Sequence, residues 1–167
     1  MGVIFDLDQT LIDSSLAEPY RGKNWQLAYN EIPNFTYYSG IAEIINFLKS
    51  SNIPSCIVTS STSYYCTKVT QHWGITCDFH ICYHDTKYRK PHPEPIIKAI
   101  KKFDCAIEKV LSVGDRDIDI QASHAAGVKS VACLWGTSDQ QALLNAKPTF
   151  VAASPAELLS IIENYYA

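Results

Sequence analysis

Apolar positions along this chain fall into two alternating patterns. Short runs bounded by polar or turn residues read as buried strands: Val3–Leu7, Ser55–Thr59, Phe79–Tyr83, Val110–Val113 and Val128–Leu134, with Thr149–Val151 as a short sixth. Between the runs, apolar residues recur at helical spacing. Ile41, Ile44, Ile45 and Leu48 form one such stripe, which stops near Ser50-Ser51-Asn52. Ser61–Trp73 ends at Gly74 and Ile118–Ala126 at Gly127, and glycine is the residue that most readily closes a helix. Pro93–Phe103 opens on prolines, which a first helical turn tolerates. Ser154-Pro155-Ala156-Glu157 places a capping hydroxyl, a proline and an acid where a last helix begins.

Strands alternating with helices predict right-handed crossovers and a mostly parallel sheet covered on both faces, a three-layer α/β/α architecture. Ser14–Tyr38 breaks the rhythm. It is polar and aromatic, contains Pro19 and Pro33, and has poor apolar periodicity, so it reads as an insertion after the first strand, with one or two short helices in Glu18–Tyr29. It is well below the roughly 50 residues of a separate domain. The chain of 167 residues is expected to form one domain, 1–167. Such a length buries about 70% of its unfolded surface and needs no covalent staple.

Composition narrows the classes. With 47% hydrophobic and 19% charged residues the chain is not of the disordered kind. Fourteen Lys and Arg against 17 Asp and Glu give a net charge of −3, which speaks against a nucleic-acid partner. No apolar run approaches the roughly 20 residues of a membrane span. The start, Met1-Gly2-Val3-Ile4-Phe5-Asp6, has neither the basic nor the long apolar region of a secretory leader. Six cysteines lack any CxxC pair and several lie inside apolar runs, so reduced thiols and a cytoplasmic location are expected, without a structural zinc site.

In open α/β sheets, ligands bind at the carboxyl ends of the strands. Here the first strand ends in Asp6-Leu7-Asp8-Gln9-Thr10, the second in Thr59-Ser60, and the fourth in Gly114-Asp115-Arg116-Asp117-Ile118-Asp119, while Lys90-Pro91 follows the third. Adjacent carboxylates repel unless a cation or a shared proton compensates. So much acid at one edge calls for a hard dication with oxygen ligands, and Mg²⁺ fits best. Lys90 adds a positive point charge for an anion, and Thr59 or Ser60 a hydroxyl donor. A carboxylate nucleophile, a neighbouring acid/base, a metal and donors together make a phosphoryl-transfer kit.

Asp6-Leu7-Asp8-Gln9-Thr10-Leu11 resembles the DxDx[TV] signature of the haloacid dehalogenase-like hydrolases. Thr59-Ser60, Lys90-Pro91-His92-Pro93-Glu94-Pro95 and Gly114-Asp115 with Asp119 are similar to that family's second, third and fourth motifs, in its order and spacing. The resemblance implies a Rossmann-like sheet of order 3-2-1-4-5. It implies that Asp6 attacks phosphorus, that Asp8 protonates the leaving alcohol and then activates water, and that Mg²⁺ sits on Asp6, Asp115 and the Asp8 backbone carbonyl. Thr59 and Ser60 would bind the phosphoryl group, Lys90 would neutralise it and the nucleophile, and Asp119 would orient Lys90 or a metal-bound water. Two features depart from the family pattern. Gln9 stands where glycine is frequent, at no cost if its backbone is ordinary. The insertion is about a third of the length of a helical cap domain, so the site is expected to be open.

Rival readings remain. A halide-releasing enzyme needs no Asp8. A phosphomutase must keep its intermediate from water, which a short insertion does poorly. A non-catalytic phospho-ligand binding protein has no need of all of Asp6, Asp8, Lys90 and Asp115. Asp13, Asp78, Asp104 and Asp139 read as turn or cap residues, Asp117 as a helix-start acid, and His84 and His124 as ordinary loop or helix histidines. Trp25, Tyr20, Tyr29, Tyr37 and Tyr38 either pack the insertion down or form an aromatic lip carrying Arg21 and Lys23. Arg21 is the insertion residue expected to bind the leaving group. The expected partner is a phosphorylated substrate, either a small molecule or an exposed phospho-group on a larger one. A second subunit is another way to cover an open site.

Overall fold

A computed structural model describes all residues, 1–167. Its elements are β1 (Gly2–Phe5), β2 (Ile12–Asp13), α1 (Trp25–Glu31), β3 (Thr36–Tyr37), α2 (Ile41–Ser50), β4 (Ser55–Val58), α3 (Ser63–Trp73), β5 (Phe79–Ile81), α4 (Glu94–Phe103), β6 (Val110–Gly114), α5 (Asp117–Ala125), β7 (Lys129–Cys133), α6 (Gln140–Asn145), β8 (Phe150–Ala152) and α7 (Pro155–Tyr166). Six strands form one sheet in the order β5-β4-β1-β6-β7-β8, and every pairing is parallel. The five main strands therefore stand in the expected order, with the short sixth at the edge. The chain builds outward from β1 through β4 to β5, then returns to β6 on the other side of β1, which places β1 at the reversal of strand order.

Alternate residues of each strand supply two cores. Val3, Phe5, Ile57, Leu111, Val113 and Val131 face the layer of α2, α3 and α7, where Ile41, Ile44, Leu48, Tyr65, Val69, Leu158 and Ile162 meet them. Ile4, Cys56, Val58, Ile81 and Val110 face the opposite layer, closed by Ile96, Ala99 and Ile100 of α4 and by Ala122 of α5. Burying each such large aliphatic side chain stabilises the fold by about 1.5–3 kcal/mol.

The insertion is tied at its root. β2 pairs with β3 antiparallel, Ile12 opposite Tyr37 and Asp13 opposite Thr36, a two-residue ladder that sequence periodicity does not reveal. Between these strands lie a 3-10 turn at Ser15–Ala17, then α1 capped by Asn24, and a second 3-10 turn at Ile32–Asn34. Ala17, Ala28, Ile32 and Phe35 join the larger core, and the Trp73 indole donates to the Ile32 carbonyl at 2.9 Å. The aromatics largely pack the insertion down onto α3: Trp25 lies 5.6 Å from Tyr65 and Tyr29 lies 5.1 Å from Tyr64.

Three local details differ from the sequence reading. α3 begins at Ser63, because Thr62 rather than Ser60 or Ser61 caps it by accepting the Tyr65 N–H. α6 was not expected; Asp139 caps it by accepting the Ala142 N–H at 2.9 Å. Gln9 does not have an ordinary backbone: its φ is 66°, in the left-handed region. Its N–H must turn back to the Ile12 carbonyl at 2.8 Å, closing the loop that follows Asp8. For a residue with a Cβ this conformation costs about 1 kcal/mol or more.

Candidate active site

β1 ends at Phe5, and the Asp6 N–H still bonds the Val113 carbonyl of β6 at 2.9 Å, so Asp6 occupies the last rung before the chain turns. The loop after β6 places Asp115 beside it, and the first turn of α5 adds Asp119. One carboxylate oxygen from each of Asp6, Asp115 and Asp119 lies within 4.8 Å of the others. Gly114 makes the approach of α5 feasible, since a Cβ at that position would collide with the Asp119 side chain.

Lys90 enters from the loop after β5. Its ammonium has three donors and three acceptors: Asp6 Oδ1 at 2.8 Å, Asp119 Oδ1 at 2.5 Å and the Val58 carbonyl at 3.0 Å. The other Asp119 oxygen accepts the Arg116 N–H at 3.0 Å. Asp115 Oδ1 accepts the Thr10 hydroxyl at 2.9 Å. Lys90, Asp115 and Asp119 are all buried.

Three clustered carboxylates, of which Lys90 pairs with two, would carry an excess of two negative charges when all are ionised. Burial pushes the Asp6 pKa up to about 6; Lys90 opposes the shift, while Asp119 and Asp8 add to it. Burial, then repulsion by Asp6 and Asp119, pushes Asp115 up to about 8. Burial disfavours the Lys90 charge, but Asp119 and Asp6 outweigh it and hold the ammonium above its usual range. A hard dication among these oxygens would remove the excess, so the donor set fits Mg²⁺.

The Asp8 carboxylate stands apart from this group. Its Oδ1 accepts from the Ser14 hydroxyl at 2.6 Å and the Tyr65 hydroxyl at 2.9 Å, and forms an ion pair with the Arg21 guanidinium at 2.5 Å. Its Oδ2 accepts the Ser61 hydroxyl at 2.9 Å. Arg21 is therefore not turned into solvent: the insertion carries it into the site, where it meets Asp8.

These residues open onto a cleft of about 690 Å³ that is also lined by Thr59, Ser60, Trp25, Tyr83, His84 and Arg116. Thr59 is buried, and its Oγ1 accepts the Ser61 N–H at 3.0 Å. Ser60 is exposed to the cleft. Trp25 both packs on Tyr65 and lines the cleft, so it has part of each role considered for it. Asp117 accepts from Gln121 at 3.1 Å within α5, and His124 pairs with Ser130 away from the cleft.

Asp6, Asp8, Thr59, Ser60, Lys90, Asp115, Asp119 and Arg21 are all brought to this one cleft or its floor. Sequence reasoning missed Thr10, Ser14, Ser61 and Tyr65. Thr10 lies inside the first motif and Ser61 adjoins the second, so proximity was a signal for both. Tyr65 and Ser14 carry none, because only the fold aims them at Asp8.

Comparison with known proteins agrees with this geometry. The family profile described as haloacid dehalogenase-like hydrolase matches residues 20–133, a stretch that holds the second, third and fourth motifs. A pyrophosphatase PpaX of Oceanobacillus iheyensis is 28% identical over 140 residues, covering 82% of this chain and 65% of the relative. A pyrophosphatase PpaX of Bacillus cereus is 38% identical over 80 residues, covering 48% of this chain and 37% of the relative. The chain thus spans less than two thirds of the length of these curated relatives. Among solved structures, a hydrolase from Pseudomonas syringae superposes with a TM-score of 0.85 at 21% identity, over 98% of both chains, a likeness of fold.

Proposed function

This chain belongs to the haloacid dehalogenase-like hydrolases, and from that premise we propose that it is a Mg²⁺-dependent phosphohydrolase that cleaves phosphate monoesters through an aspartyl-phosphate on Asp6. The observation that carries the reading is Lys90, held between Asp6 and Asp119 beside Asp115 at the end of β1 and β6. That grouping leaves an anionic nucleophile beside a fixed cation, in a carboxylate cluster that one lysine does not neutralise.

On this reading Asp6 and Asp115, with the Asp8 backbone carbonyl, hold the metal. When bound, Mg²⁺ neutralises the excess charge and polarises the phosphoryl oxygens. Lys90 keeps the attacking carboxylate and the transferring group from repelling each other. Asp119 positions Lys90 and is itself fixed by the Arg116 N–H. Thr59 and Ser60, with the backbone of that loop, receive the phosphoryl oxygens. Asp8 gives a proton to the leaving oxygen and then takes one from the attacking water. Arg21 reaches the leaving group from the insertion. Residues 1–167 act as one hydrolase domain with this short insertion as its rim.

Small phosphate monoesters are the first candidate substrates on this reading, and the names of the relatives add inorganic pyrophosphate, an anhydride, as a further one. All six cysteines are unpaired, which supports the expected cytoplasmic location. No helix is long and apolar enough to cross a membrane.

The test is hydrolysis of p-nitrophenyl phosphate and pyrophosphate. Turnover is expected with Mg²⁺, loss in EDTA, and recovery when Mg²⁺ is added back. Asp6→Asn abolishes turnover, since an amide is not a useful nucleophile toward phosphorus. Full activity in EDTA contradicts the reading.

A further inference from the structure

Tyr65 is fully buried, and a phenol so placed needs a partner for its hydroxyl. That partner is Asp8 Oδ1, at 2.9 Å. Burial and the neighbouring Asp8 charge push the Tyr65 pKa far above the usual phenol range, so this hydroxyl keeps the proton it donates to Asp8. Its ring is held by Trp25 at 5.6 Å, which fixes the direction of donation. Neither the nucleophile, the metal ligands nor the phosphoryl donors make use of it.

The two oxygens of Asp8 are treated unequally. Oδ1 accepts from Ser14 and Tyr65 and pairs with the Arg21 guanidinium, whereas Oδ2 accepts only from Ser61. A carboxylate offers about two acceptor sites on each oxygen. Oδ1 is therefore saturated, and Oδ2 retains a free site.

We infer that Tyr65 is a positioning residue: together with Ser14 and Arg21 it locks Oδ1 of Asp8, leaving Oδ2 as the oxygen through which protons pass. This rests on the phosphohydrolase reading. In the first half of the reaction, the Oδ2 proton goes to the leaving oxygen as its bond to phosphorus breaks and the bond from Asp6 forms. In the second, Oδ2 takes a proton from water as the water oxygen bonds to phosphorus and the Asp6–phosphorus bond breaks. Asp8 ends in the protonation state in which it began. Tyr65 exchanges no proton; it acts through Asp8.

The leaving group reports on this role. p-Nitrophenolate departs without protonation, whereas an alkoxide does not. Tyr65→Phe keeps the ring and removes one donor. It is expected to lower kcat on an alkyl phosphate by about ten- to a hundredfold, with KM within about twofold. On p-nitrophenyl phosphate the first-step rate stays within about threefold of native, but phosphoenzyme hydrolysis slows, so a burst of p-nitrophenol precedes the steady state. In an Asp8→Asn background the same substitution adds little, because the group it acts through is gone. Ser14→Ala, which removes a donor from the same oxygen, gives the same split between esters; it serves as the test if Tyr65→Phe fails a thermal melt. Equal losses in the first-step rate on both esters, an unchanged loss in the Asp8→Asn background, or no loss at all overturns the inference while leaving the phosphohydrolase reading intact. A native enzyme that turns over neither ester overturns both.

Discussion

Lys90 commits all three ammonium donors to fixed acceptors, two of them carboxylates. Removing it leaves Asp6 and Asp119 buried and unpaired, and breaking a buried pair from one side costs about 3–5 kcal/mol. Lys90→Met is therefore expected to lower metal-free stability by that order in urea denaturation, and to abolish turnover. A loss below about 1 kcal/mol would mean that the ammonium is not what holds the carboxylates. Gly136 makes a second prediction at this scale. A Cβ there would run into the Gln9 backbone, and overpacking of this kind costs about 1–3 kcal/mol. Gly136→Ala is expected to lower the melting temperature, and combining it with Gln9→Gly does not restore it, because the obstacle is backbone. The carboxylates, the lysine and the hydroxyl pair were legible because each lies in a motif at a strand end. The partners of Asp8 were not, since Ser14, Ser61 and Tyr65 are aimed by tertiary structure alone.

Among the elements, the insertion is the distinctive piece. Its sequence revealed that something interrupts the alternation after the first strand and that short helices lie within it. It did not reveal the β2–β3 ladder at its root, because two residues per strand carry no readable period. α6 escaped for a similar reason: six residues, most of them polar or half-exposed, make too short a stripe, and only the Asp139 cap marks its start. The functional content of the insertion is Arg21, which α1 and its preceding turns carry to Asp8. A charged leaving group would give Arg21 a second acceptor, whereas p-nitrophenolate offers it little. Arg21→Ala is expected to raise KM for pyrophosphate about tenfold more than for p-nitrophenyl phosphate. Equal effects on both substrates would confine Arg21 to the alignment of Asp8.

For the molecule as a whole, the parallel three-layer class was legible in the alternation of strands and helices, whereas the strand order followed from the resemblance of the four motifs. Stability was not legible, because it depends on how deeply the acids are buried. Asp6 and Asp115 have folded pKa values of about 6 and about 8 against an ordinary 3.8. A raised carboxyl binds its proton more tightly when folded, so its contribution is complete below about pH 4 and is lost as pH rises through the folded value. Lys90 stays charged throughout this window and adds no slope. The melting temperature in EDTA is therefore expected to fall between about pH 4 and pH 8, and Mg²⁺ to counter the fall most strongly at the upper end. A flat profile in EDTA would mean that burial and mutual repulsion do not raise these acids.

The central claim is that Asp6 becomes phosphorylated. Rapid quenching of the Mg²⁺-loaded enzyme with p-nitrophenyl phosphate, followed by peptide mass spectrometry, tests it most directly. The account predicts one added phosphoryl group on the peptide bearing Asp6, labile to hydroxylamine and absent from Asp6→Asn. Phosphate on another residue, or multiple turnovers by Asp6→Asn with no trapped phosphoenzyme in the native protein, would contradict it.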